Sequence, residues 1–151
     1  KTIHDTSPYD QSYYRSEPTV QSYINQFPNL KLIIDLHRNS GPSKEATTTV
    51  INDQSLARLL FVTSKNSPNY SQMMEAVNGM ISISEELFPG LMGDGKDGTG
   101  LYEYNHGSNT FNQKLSPACV LTEFGTDLNT AQEAKLSAKN LARVIAEYLN
   151  K

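Results

Sequence analysis

Cysteine is scarce in this sequence: Cys119 stands alone, so no internal disulfide forms and no thiolate zinc knuckle can be assembled. Histidine is nearly as scarce, leaving His4, His37 and His106, with carboxylates, as the candidate metal ligands. An excess of basic charge is also missing. Lys and Arg total 13 against 16 Asp and Glu, a net charge of −3 with no basic run. Such a chain has no electrostatic footprint for nucleic acid or for an anionic membrane surface. Apolar runs extend over only a handful of residues, which excludes a transmembrane span and a signal-peptide core within the sequence. What is present is 151 residues, 37% of them hydrophobic, enough for one globular core without staples. The chain opens at Lys1 rather than Met, so it is expected to derive from a longer protein that carries any export signal or membrane anchor.

Along the chain, Val20, Tyr23, Ile24 and Phe27 follow one helical face between Asp10 and Phe27. Pro18 predicts that the regular helix begins near Ser16 or Glu17. Leu30 to His37 reads as a strand, with Leu32, Ile34 and Leu36 on one side and Ile33, Asp35 and His37 on the other. Ser40 to Glu45 reads as a loop, Thr47 to Ile51 as a short β-branched run, and Leu56 to Thr63 as a strand buried on both faces. A helix starting at Pro68 to Ser71 carries Met73, Val77, Met80, Ile81, Leu87 and Phe88 and stops at Pro89-Gly90. Gly93, Gly95 and Gly98 satisfy G-x-G-x-x-G, but Leu101 to Tyr104 after them reads as a strand, which argues for a surface loop and against a dinucleotide site. Cys119 to Phe124 is a last strand, broken at Gly125. Thr130 and Glu133 form a capping box that opens a helix with Ala134, Ala138, Leu141, Ile145 and Leu149 on one face. This alternation predicts an α/β layered domain with a mostly parallel or mixed sheet flanked by helices. Ligands of such sheets bind beyond the carboxyl ends of the strands, where His37 and Glu123 fall.

His37, two residues after Asp35 on one strand face, is either oriented by that carboxylate or binds metal with it. Its plainer reading is a half-buried histidine hydrogen-bonded to Asp35. Glu123 ends the run Cys119-Val120-Leu121-Thr122-Glu123, and a carboxylate in so apolar a strand needs a partner or a raised pKa, the tuning of a general base. Its plainer reading is a glutamate hydrogen-bonded at a strand end. No G-x-S-x-G, H-E-x-x-H or P-loop motif occurs, and Cys119 reads as packing. Asp35-Leu36-His37 also resembles the opening of a two-metal phosphoesterase site, a chemistry that needs more ligands than Asn105 and His106 add.

Four segments, Lys1-Thr2-Ile3-His4-Asp5, Asp35-Leu36-His37-Arg38, Phe111-Asn112-Gln113-Lys114-Leu115-Ser116-Pro117 and Leu121-Thr122-Glu123-Phe124-Gly125, resemble successive motifs of the stage II sporulation protein P family. That family is similar to the zinc-dependent N-acetylmuramoyl-L-alanine amidases, which cut the amide between N-acetylmuramic acid and the stem-peptide L-alanine of peptidoglycan. The resemblance implies an amidase-like fold and a zinc cofactor, with His37 as a zinc ligand and Glu123 as the carboxylate that handles protons. It also implies that Asn112, Gln113 and Arg38 contact substrate and that His4 and Asp35 border the site. Peptidoglycan is the implied partner, with the lytic transglycosylase called stage II sporulation protein D beside it and a membrane anchor in the parent protein, on the cell-wall side of the forespore or septal membrane.

Two departures qualify this. The His and Glu that complete the family's zinc set have no match from Lys1 onward, so the chain is expected to be the C-terminal part of a catalytic domain, lacking its first strand and helix. By itself it is then expected to bind zinc weakly and to be inactive. Asn39 stands where the family commonly has aspartate. A catalytically inactive peptidoglycan-binding or scaffold module is the competing expectation, and a metallophosphoesterase a weaker one.

Overall fold

The computed structural model describes Pro8, residues 11–93 and residues 98–151. His4 and positions 94–97 of the glycine-rich loop lie outside the described residues. The elements run α1 (Ser12–Gln26), β1 (Ile33–Asn39), β2 (Thr48–Ile51), β3 (Gln54–Ala57), β4 (Leu59–Ser64), α2 (Tyr70–Leu87), β5 (Leu101–Tyr104), β6 (Cys119–Thr126) and α3 (Ala131–Leu149).

Four strands form a mixed sheet in the order β1-β6-β4-β5. β1 runs parallel to β6, β4 antiparallel to β6, and β5 parallel to β4. The layered α/β domain with a mixed sheet is therefore as the alternation of elements predicts. β4 is buried at every position, which its Leu-Leu-Phe-Val run requires of a central strand. The core forms where Phe61, Val120 and Phe124 of the sheet meet Met73, Val77 and Met80 of α2 and Leu141 and Val144 of α3. Each fully buried side chain of this kind contributes roughly 1.5–3 kcal/mol relative to an exposed one.

The single strand expected over Leu56 to Thr63 is in fact two. Arg58 breaks it: its N–H donates to Thr47 O at 2.8 Å and its carbonyl accepts from Gly125 N at 2.8 Å, turning the chain from a hairpin into the sheet. That hairpin, β2 with β3, closes through Asn52 and Asp53 at φ +51° and +60°, residue types that tolerate the left-handed region of a tight two-residue turn.

Two helix expectations are also corrected. α1 begins at Ser12 and runs through Pro18, so the Tyr14 carbonyl lacks its usual helical donor; no residue of α1 is buried, and Tyr23 and Phe27 are exposed rather than packed. In α3 the buried line is Glu133, Ser137, Leu141 and Val144, with Ala138 and Leu149 exposed. Two polar members are buried because they are paired: Ser137 Oγ donates to Ala57 O at 2.6 Å, and Glu133 accepts from Ser55 Oγ at 2.9 Å.

Candidate active site

Because β1 and β6 are parallel, their carboxyl ends coincide, and the register sets His37 directly beside Glu123. Side chains alternate along each strand, so Asp35 and His37 of β1 share a face with Leu121 and Glu123 of β6. Val120, Thr122 and Phe124 turn to the other face, toward α2 and α3. The first face is partly covered by α1, which leaves a cavity of about 270 Å³ between Tyr13, Ser16 and Val20 above and Ile33, Asp35 and Cys119 below. A larger groove of about 610 Å³ adjoins it and crosses the sheet from His37 and Glu123 over Leu60 and Val62 to Tyr102. Tyr13, His37 and Phe111 line both.

The His37 ring is held on two sides. Its Nε2 lies 3.0 Å from Asp35 Oδ1 and 3.2 Å from the Tyr13 hydroxyl, and the Tyr13 ring stacks on it with 11° between planes. The bond to Asp35 holds the imidazole pKa above its usual value, against the opposing effect of burial, with the Asp35 and Glu123 charges adding to the rise. Glu123 Oε2 is buried and has no hydrogen-bond partner. Burial pushes this carboxyl up, the nearby His37 pulls it down and Asp35 adds to the rise. Together they form a carboxyl that can take up a proton next to an imidazole that can hold one, the pairing that general acid–base catalysis uses. Cys119, by contrast, is inert packing: burial pushes its thiol up to about 11.

Three residues expected to contact substrate are engaged elsewhere. Gln113 is fully buried, accepting from Ser64 N and donating to Val62 O, each at 2.8 Å, so its amide fastens the 111–115 turn to β4 and has no free side for a ligand. The Arg38 guanidinium lies on the opposite strand face from His37 and donates to the carbonyls of Thr126 and Asn129, bracing the β6–α3 turn. Asn112 lines the smaller cavity but is only 8% exposed, and its amide donates to Ser16 Oγ of α1 at 2.8 Å. His106 is exposed, paired with Asn105 and Tyr102 and close to Tyr104. Asn39 lines the larger groove and caps its own turn through Ser40 N.

Sequence reasoning missed Tyr13 and the setting of Phe111. The signal for Tyr13 was present as helical spacing, since Tyr13, Ser16 and Val20 lie three and seven residues apart on the face of α1 that meets the cavity. Phe111 and Asn112 adopt φ +51° and +61°, which costs on the order of 1–2 kcal/mol per residue and has no marker in residue type at Phe111.

Fold and site together define an α/β domain with a histidine–carboxylate centre across two parallel strand ends. Within that class the chain belongs to the stage II sporulation protein P family, whose sequence profile matches residues 1–146. It is 33% identical over 141 residues to the stage II sporulation protein P of Bacillus subtilis (strain 168), an overlap covering 92% of this chain and 33% of that protein. The chain thus spans about a third of the length of the curated relative it matches. No solved structure matches it significantly.

The zinc ion that the family resemblance implies can be tested against these donors. His37 and the orphaned Glu123 oxygen have the chemistry of one zinc ligand and one proton-handling carboxylate. Among the described residues, however, no group of three or more His, Cys, Asp or Glu is placed to hold a metal ion.

Proposed function

We propose that this chain carries the His37–Glu123 part of a zinc-dependent N-acetylmuramoyl-L-alanine amidase that remodels peptidoglycan during sporulation. The observation that carries the reading is the buried, unpartnered Glu123 oxygen set beside His37 at the parallel strand ends. Family membership supports it, through the sporulation protein to which the chain is similar.

In this reading Glu123 accepts the proton of the attacking water and returns it to the leaving alanine nitrogen. Burial raises its pKa above the usual carboxylate value, the direction that favours taking up a proton. His37 supplies one ligand, oriented by Asp35, and residues preceding Lys1 in the longer protein supply the others. A zinc ion bound there would contribute Lewis acidity toward the scissile amide carbonyl. The groove from His37 to Tyr102 receives the glycan or stem peptide. Arg38 braces the strand behind His37, Gln113 anchors the 111–115 turn, and Asn112 ties that turn to Ser16 at the wall of the smaller cavity. The longer protein works on the cell-wall side of a membrane, held by a segment outside this chain, beside the lytic transglycosylase stage II sporulation protein D. No helix among the described residues is long and apolar enough to cross a membrane.

A second reading, a peptidoglycan-binding module without catalysis, is favoured by one observation: His37 Nε2 is already engaged by Asp35 and Tyr13. Substituting Glu123→Gln in the longer protein separates the two. Proton handling predicts unchanged bound zinc by elemental analysis and turnover lower by about 10²–10⁴-fold. Unchanged turnover, or zinc and turnover lost in step, would contradict the assigned role.

A further inference from the structure

We propose that Tyr13 is a positioning residue for His37, and that the Phe111–Asn112 turn acts through Tyr13 to set the imidazole. The inference rests on the reading of His37 as a functional residue and extends it to a residue to which no role has been given.

A carboxylate can only accept, so the proton shared with Asp35 at 3.0 Å belongs to Nε2 of the neutral imidazole. The Tyr13 oxygen, 3.2 Å from the same nitrogen, is then a second acceptor for that proton. Two acceptors on Nε2 select one tautomer and leave the lone pair on Nδ1. The near-parallel stacking of the two rings removes the remaining freedom of the imidazole plane. Asp35 alone fixes a direction; Asp35 and Tyr13 together fix a plane.

Tyr13 needs support of its own, because α1 contributes no buried residue to the core. The support comes from the 111–115 turn. Phe111 meets the Tyr13 ring edge-on at 5.4 Å and is itself backed by Tyr104 at 5.1 Å. Asn112 donates to Ser16 one turn further along α1, and Lys114 pairs with Glu17 at 2.9 Å. Gln113 fastens the same turn to the backbone of β4. A phenylalanine held at positive φ, unlike the Asn52–Asp53 turn residues, persists only where its surroundings enforce it. Here that conformation directs Phe111 toward α1 while Gln113 points into the core. The path runs from a buried anchor through a strained turn and a tyrosine to the histidine.

The test is nitrogen-15 NMR of the His37 imidazole in this chain, without zinc or substrate, for the unsubstituted sequence and for Tyr13→Phe, Tyr13→Ala and Phe111→Leu. The unsubstituted chain should show a single Nε2–H tautomer with a slowly exchanging ring proton. Tyr13→Phe should speed that exchange by about ten-fold, the equivalent of one net hydrogen bond. Tyr13→Ala should also average the two ring-nitrogen shifts, and Phe111→Leu should move them in the same direction. His106 signals and the amides of β4 and β6 should stay unchanged. Unaltered His37 signals in the Tyr13 variants would overturn the proposal, and unaltered signals in Phe111→Leu would remove the turn from it. Loss of the folded spectrum in Tyr13→Ala would overturn it too, since Tyr13 would then be a folding residue. No catalysis is read, so the amidase assignment can fail while this inference stands, and the reverse.

Discussion

Gln113 and Glu123 are two polar side chains in largely apolar surroundings with opposite arrangements. Both ends of the Gln113 amide are paired, whereas one Glu123 oxygen has no partner. Gln113→Leu should therefore orphan Ser64 N–H and Val62 C=O in the interior, at about 1–3 kcal/mol for each group. A lower urea midpoint with an unchanged slope would show it; an unshifted midpoint would mean that water or another donor replaces the amide. Asp35, His37 and Glu123 were legible because a polar residue in a strand of apolar ones has few explanations. The partners of Arg38 and Gln113 were not. Their hydrogen bonds reach backbone atoms 88 and 91, and 49 and 51, residues away, and no local pattern encodes a carbonyl brought in by the fold.

Among the elements, α3 is the most self-contained. The Thr130 hydroxyl accepts from Glu133 N at 3.1 Å, and the Glu133 carboxylate accepts in turn from Thr130 N, the reciprocal box that the sequence predicts. This bond, assisted by Ser55 and Lys44, lowers the Glu133 pKa from 4.5 to about 2. A depressed carboxyl stabilises the fold above its unfolded value and loses that contribution as pH falls toward its folded one. Thr130→Ala should cost about 1 kcal/mol at pH 7 through the lost hydroxyl cap, whereas Glu133→Gln, which removes the titrating carboxylate, should show a deficit relative to the unsubstituted chain that shrinks between pH 4.5 and about 2. Thermal melts of Glu133→Gln and the unsubstituted chain across that range check the sign. α1 was harder to read, because helix rules weigh Pro18 as a start signal while the actual helix tolerates it one and a half turns in. The β3–β4 break was equally hidden: Arg58 interrupts an apolar run by pairing its backbone with Thr47 and Gly125 and its guanidinium with the Gly90 carbonyl.

At the scale of the whole molecule, the mixed sheet is clad by α2 and α3 on one face and carries the histidine–carboxylate centre on the other, beneath α1. The alternation of elements made the layered class legible. It did not make the strand order legible, since β4 pairs antiparallel to β6 between two parallel pairs, β1 with β6 and β4 with β5. The same architecture puts His37 on β1, at the edge of the sheet among the described residues, with Glu123 one strand further in. The most direct test is mass spectrometry of purified peptidoglycan digested by the longer protein with zinc. The account predicts intact stem peptides with a free L-alanine amino group and glycan strands with free lactyl carboxyl groups, both absent with Glu123→Gln. Cleaved glycan or peptide bonds, or retained wall binding with no release of stem peptide, would contradict it.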